Sequence, residues 1–170
     1  MANSETDTQA TALGQMDRFQ TFFGRVEAKA SFLLAIDLAL LGSVAVAIPV
    51  NDLVSAAGGT GLIAATFLAF SLVNLYAAFY PHLNNPRPSL IYFADIAGLT
   101  ADEYKTKIRA ASPKEMADDA LCQVWRNAQI LDKKFKRSRS AFLLTAAALP
   151  FWIAVLSLAT LRSGAIPGLE

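Results

Sequence analysis

The chain has 170 residues, of which 54% are hydrophobic and only 17% charged, with a formal net charge of +1 and a mean hydropathy of +0.38. Those values are unlike a soluble protein of one-domain size, and no nucleic-acid polymer is expected among the partners. The single cysteine, Cys122, and the single histidine, His82, rule out an internal disulfide and make a Cys/His metal site implausible, so neither metal nor cofactor is expected.

The segment 1–11 is small and polar and is expected to be a disordered tail. It carries Glu5 and Asp7, so no secretory signal is expected there and the first apolar run should be retained. Over 12–30, Leu13, Met16, Phe19, Phe22 or Phe23, Val26 and Ala30 recur at three- and four-residue spacing, which predicts an amphipathic cytoplasmic helix running on into the first span. Arg18, Arg25 and Lys29 are too few for a cationic helix lying on a membrane surface. The apolar face is therefore expected to pack on other soluble helices.

Three apolar blocks, 31–50, 62–80 and 140–161, are each about 20 residues long, the helical length that crosses roughly 30 Å of hydrocarbon. A soluble bundle of such helices would need more polar surface than the remaining residues supply. The segment 51–61 contains Asp52, Gly58 and Gly59 but no Lys or Arg, and reads as an outer turn; 162–170 reads as an outer tail. Three Lys or Arg precede residue 31, eleven lie within 81–139, and one, Arg162, follows the third block. The positive-inside rule then places the N-terminus and the 81–139 domain in the cytoplasm and the C-terminus outside. Gly61, Ala65 and Ala69, at four-residue spacing, suit close helix contact in the second span.

Within 81–139, Pro81, Pro86 and Pro88 with Asn84 and Asn85 predict an extended connector. Leu90, Ile91, Tyr92, Phe93, Ile96 and Leu99 form a short apolar element, extended before it turns helical. Thr100 with Glu103, and Ser112 with Pro113 and Glu115, are capping boxes that predict a helix over 101–111 and a long one from Pro113. On the long helix, Leu121, Val124 or Trp125, Ala128, Leu131 and Phe135 form a stripe, and Cys122 reads as a small packing residue. No helix breaker occurs from Lys114 to Leu149, so one helix should pass through the basic cluster Lys133, Lys134, Lys136, Arg137 and Arg139 into the third span, bending near Pro150. The predicted fold is all-α: a three-span helical membrane protein with a small helical cytoplasmic domain and long helices continuing from cytosol into membrane.

Asp37, Asn74 and Thr145 are the intramembrane polar residues, at similar depth toward the cytoplasmic side. A carboxylate in hydrocarbon costs at least about 3 kcal/mol, so Asp37 should face its neighbours, with Asn74 the expected partner. It serves either as an interhelical clasp or as part of an ion or proton path across an oligomer. The basic cluster attracts anionic lipid at about 1 kcal/mol per residue or contacts an anionic ligand directly. Asp118 and Asp119 diverge by about 100° on a helix and read as a solvated face. No G-x-S-x-G, P-loop or H-E-x-x-H pattern occurs, and no enzyme activity is expected.

Three runs of residues carry a resemblance. Arg25-Val26-Glu27-Ala28-Lys29-Ala30 leads into Leu33-Leu34-Ala35-Ile36-Asp37. Tyr92-Phe93-Ala94-Asp95-Ile96-Ala97 precedes Glu103-Tyr104, and Gln123-Val124-Trp125-Arg126-Asn127-Ala128 precedes Lys133-Lys134-Phe135. Their order relative to the spans, over about 16–152, resembles the Pycsar effector protein family of bacterial membrane proteins. The resemblance implies anti-phage defence: a cyclase makes a cyclic pyrimidine mononucleotide, cCMP or cUMP, and an oligomeric, multi-pass inner-membrane effector responds by impairing the membrane. Some such effectors carry a cyclic-nucleotide-binding β-roll, whereas this chain has no series of alternating strands. A ligand is then expected among the cytosolic helices, between subunits, or on another protein. The candidates are Arg25, Lys29, Arg126 and Lys134 for phosphate, and Tyr92, Asp95 and Gln123 for the base. Other readings are a non-enzymatic membrane scaffold recruiting a cytoplasmic partner, or an ion- or proton-conducting protein.

Overall fold

A computed structural model describes residues 2–48, 52, 54–80 and 87–162. It contains five helices, α1 Ala2–Ala47, α2 Ala56–Phe79, α3 Phe93–Ala97, α4 Ala101–Ala110 and α5 Pro113–Arg162, and no strand among the described residues. The expected all-α architecture is therefore present. α1, α2 and α5 are each long and apolar enough to cross a membrane, and only 22%, 28% and 22% of their apolar windows are buried. Phe32, Leu38, Phe70, Phe142 and Ile153 point outward on these helices. So much exposed apolar surface requires an apolar surrounding. The predicted connector at 81–86, most of the outer tail and the boundary at 49–51 lie outside the described residues.

The chain divides into two compact units, a helical unit of Met1–Arg25 with Pro81–Lys133 and a span unit of Val26–Tyr80 with Lys134–Glu170. Both take residues from α1 and α5, each of which is one unbroken helix. On α1 the inward positions are Ala12, Met16, Phe19, Phe23, Val26, Ala30, Leu33, Asp37, Leu40 and Val44, alternating steps of four and three. α2 repeats the pattern with Ala57, Gly61, Ala64, Leu68, Ser71, Leu75 and Ala78. Such 3-4 stripes are the seams of helices packed side by side with knobs into holes.

In the span unit, Ala30, Leu33, Leu75 and Ala141 form one core cluster, and Leu40, Leu68 and Ala148 form a second, joined by Phe67 and Trp152. Small residues at these positions let helix backbones approach closely. Gly61 is buried, and a Cβ there would run into the Ile48 side chain. Ala69, expected on the same contact face, is exposed, because a strict four-residue step drifts about 40° per step around a helix. α2 also begins earlier than expected: the Ser55 hydroxyl accepts a hydrogen bond from the Gly58 N–H at 3.2 Å, which draws Gly58 and Gly59 into the first helical turn instead of the outer turn. Phe67 stacks on Phe151 at 5.8 Å, and the Trp152 indole N–H donates to the Ser43 hydroxyl at 2.6 Å. An ion pair joins Asp52 to Arg162.

In the helical unit, α1 starts at Ala2, so the segment expected as a disordered tail is helical. Its polar residues Ser4, Asp7, Thr8, Thr11 and Gln15 with Ala12 line an open cleft of about 500 Å³ completed by Leu121. Tertiary contact here overrides the weak helix propensity of Ser, Thr and Asp. On α5 the buried stripe is Ala117, Ala120, Gln123 and Leu131. Leu121, Trp125 and Phe135, expected on the core stripe, are exposed, as is Cys122. Of the expected stripe Leu131 is buried and Val124 and Ala128 are half-buried, while alanines and Gln123 take the other contact positions.

Both capping boxes form. The Thr100 N–H and hydroxyl donate to Glu103 Oε2 at 2.8 Å each, and the Glu103 N–H donates back to the Thr100 hydroxyl. Ser112 and Glu115 repeat this at the start of α5. The backbone N–H and hydroxyl donors hold the carboxyls of Glu103 and Glu115 below the ordinary glutamate value. A lowered folded-state value means that these caps contribute stability above the unfolded value and lose it as pH falls through the folded one. Acidification below the carboxylate range should therefore reduce the amide protection factors of the first turns of α4 and α5. Glu103→Gln and Glu115→Gln should make that protection independent of pH over the same range.

Candidate functional site

The helical unit concentrates its polar contacts where the segment before α3 meets the middle of α5. Asp119 Oδ2 accepts from the Ser89 hydroxyl at 3.0 Å and from the Leu90 N–H at 2.8 Å. The Ser89 N–H donates to Asp95 Oδ2 at 3.0 Å, and the Ser89 hydroxyl oxygen accepts from the N–H groups of Ile91 and Tyr92 at 3.1 and 2.9 Å. Ser89 thus folds its own backbone into the turn that starts α3, while Asp119 clamps that turn to α5. The Arg126 guanidinium lies 4.3 Å from the Tyr92 ring centroid, and Phe93 meets Tyr92 edge-on at 4.9 Å. Asp119, Gln123 and Arg126 are four and three residues apart and so share one face of α5; Gln123 is buried there.

Three of the seven candidate ligand residues, Tyr92, Asp95 and Arg126, are therefore gathered on one surface of the helical unit, with Gln123 buried on the same face of α5. Arg25 belongs to the same unit and stands 5.9 Å from the ring of Phe22 on its own helix. Lys29 and Lys134 belong to the span unit, where Lys29 is exposed and Lys134 donates to Glu27 at 2.8 Å. Ser89 and Asp119 complete the surface and were missed. Asp118 is exposed as expected, but Asp119 is half-buried and clamps the turn, so the solvated-face reading fails for it. A turn serine three residues before Tyr92 is a local signal; its partner 30 residues away is not. With Asp95 and Asp119 against Arg126, the surface carries more negative than positive charge. Its chemistry is that of an aromatic ring and carboxylate acceptors around one guanidinium.

The span unit holds the second polar group. Asp37 is fully buried and accepts from the Thr145 hydroxyl at 2.7 Å. The Ser71 hydroxyl lies 3.1 Å from Thr145 Oγ1 and donates to the Ala141 carbonyl at 3.1 Å. Three helices are thereby joined through side chains in the apolar bundle. Asp37 Oδ2 has no hydrogen-bond partner among the described residues. Asn74, the expected partner of Asp37, instead donates to the Phe70 carbonyl at 2.9 Å and accepts from Arg137 at 3.3 Å. The reason is helical phase: on α2 the seam positions are Ser71 and Leu75, and Asn74 stands beside the seam, facing the cationic turn of α5. Thr145 occupies a seam position as expected of an inward-facing residue; Ser71 was overlooked among apolar neighbours.

Removing the clamp tests its role. Asp119→Ala should destabilise the α3 turn by about 2 kcal/mol, the scale of hydrogen bonds to a charged acceptor, and should open Ser89 to Tyr92 to limited proteolysis. Asp118→Ala should leave that cleavage pattern unchanged.

The family model described as the Pycsar effector protein domain matches residues 11–161, spanning both units and all three apolar helices. No curated protein and no solved structure matches the chain. The chain belongs to the Pycsar effector protein family, and is a membrane protein with the role of an anti-phage defence effector.

Proposed function

We propose that this protein responds to a cyclic pyrimidine mononucleotide, cCMP or cUMP, by rearranging a homo-oligomer and impairing the bacterial inner membrane. It does so without enzymatic activity of its own. The observation that carries this reading is the continuity of α5, Pro113–Arg162, which holds Gln123 and Arg126 on the face of the helical unit and Thr145 in the span unit. A change at one part of an unbroken helix has a mechanical route to the other. The N-terminus and the helical unit are cytoplasmic in this reading. The cations Lys29, Lys136, Arg137 and Arg139 are exposed toward one end of the spans, while Asp52 and Arg162 pair at the other. The ligand surface is that of Tyr92, Asp95 and Arg126, with Gln123 on the same face of α5 and with phosphate cations supplied from outside it, by Arg25 or by a second copy.

Co-expression with a pyrimidine nucleotide cyclase should depolarise cells and stop growth, and a catalytically dead cyclase should not. Unchanged membrane potential with the effector correctly inserted would overturn the reading, and a stable pull-down partner without toxicity would favour a scaffold. A Gly-Pro insertion beside Ser138 should abolish the response to the cyclase while leaving membrane insertion and orientation intact, read by accessibility of an introduced cysteine.

A further inference from the structure

The buried carboxyl of Asp37 is not balanced by the chain. α1 has no other ionisable residue between Lys29 and Ala47, the only one on α2 is Tyr76, which is exposed, and α5 has none between Arg139 and Arg162. Of the cations flanking these spans, Arg137 donates to Asn74 and Lys134 to Glu27, and Lys29 and Arg139 are exposed. On one side Asp37 meets a short chain of oxygens. Thr145 Oγ1 lies at 2.7 Å, Ser71 Oγ and the Ala141 carbonyl lie 3.1 Å from Thr145 Oγ1, and Asp37 Oδ2 is left without a partner.

Each hydroxyl has one hydrogen to give. When Thr145 donates to Asp37 and Ser71 donates to Ala141, the second carboxylate oxygen still receives nothing. One added positive charge changes this. A proton on Asp37 Oδ1 removes the charge: Asp37 donates to Thr145, Thr145 to Ala141 and Ser71 to Thr145, and Oδ2 is left as a neutral carbonyl oxygen, which costs less to bury without a donor than half of a carboxylate. A sodium ion would instead take the unpartnered Asp37 oxygen and the two hydroxyl oxygens as hard ligands. We propose that Asp37, Ser71, Thr145 and the Ala141 carbonyl form a binding site for one small monovalent cation, a proton or sodium, taken up from outside the chain. Occupancy holds the three spans together, and this holds whether or not the cyclic nucleotide is the ligand of the helical unit.

The test uses the full chain in detergent micelles. Dicyclohexylcarbodiimide, an apolar reagent for carboxyls in membrane spans, should form an adduct at Asp37 read by mass spectrometry. Protection by sodium chloride but not by choline chloride identifies sodium, and its absence identifies the proton. In parallel, the thermal unfolding midpoint of the wild type should rise with sodium, or change with pH where that of Asp37→Asn does not. Asp37→Asn, which supplies its own N–H, should be unlabelled, should fold, and should show a flat midpoint under both titrations. Either the adduct or an Asp37-dependent midpoint supports the site. A wild type that is unlabelled and whose midpoint responds to neither cation, or responds as Asp37→Asn does, overturns it.

Discussion

The hydrogen bond from Thr145 to Asp37 is the contact on which the arrangement of the spans depends. Apolar side chains gain little by leaving lipid for one another, so helices in hydrocarbon are set in register by close packing and by polar contacts across the interface. Each of the three helices places one such group at an inward position of its 3-4 stripe: Asp37 on α1, Ser71 on α2 and Thr145 on α5. The clusters around Leu75 and Leu68 lie on either side of Ser71 along α2. A slip of one residue on any helix would turn its polar group toward lipid, which makes the clasp a specifier of register as well as a contact.

The helical unit relies on the opposite physics. Its structural carboxylates sit where water reaches them and accept from the backbone and hydroxyl donors beside them. Glu103 and Glu115 close the ends of helices, and Asp119 and Asp95 take up the amides of a turn that has no helix to satisfy them. These bonds position α3 and its aromatic pair against α5. Asp37 receives one hydroxyl on one oxygen where Glu103, Glu115 and Asp119 receive two donors each, and this contrast within one chain marks it as the group that the fold does not satisfy by itself.

The proposed function requires a helical unit that can change state and spans able to follow. α1 and α5 meet that need by having no break, and Pro150, which lacks an N–H to give, sits inside α5 beyond the clasp, near the Trp152 to Ser43 hydrogen bond. The seam of α2 is rich in alanine, glycine and serine, and that of α5 carries Ala141, Thr145 and Ala148. Small residues leave few interlocking side chains to resist sliding, and a two-state rearrangement is more accessible in such a seam than in one built from leucine alone.

The helix starts, the spans and the long α5 were legible in the amino-acid sequence because each depends on local physics. A Thr or Ser three residues before a Glu closes its own helix end, and a run of apolar residues of membrane length has few other places to go. The family resemblance was legible for the same reason, since its motifs keep their order relative to the spans. Which face of each helix turns inward was only partly legible. Of the stripe Leu121, Val124 or Trp125, Ala128, Leu131 and Phe135, Leu131 is buried and Val124 and Ala128 half-buried, but Leu121, Trp125 and Phe135 are exposed, and Ala117, Ala120 and Gln123 take the other contact positions. Partner choice was not legible at all: Asp37 with Thr145, Asp119 with Ser89 and Asn74 with Arg137 join residues distant in the chain. Among polar residues of similar depth and chemistry, only the rotation of each helix about its axis, set by the whole seam, selects the pairs that meet.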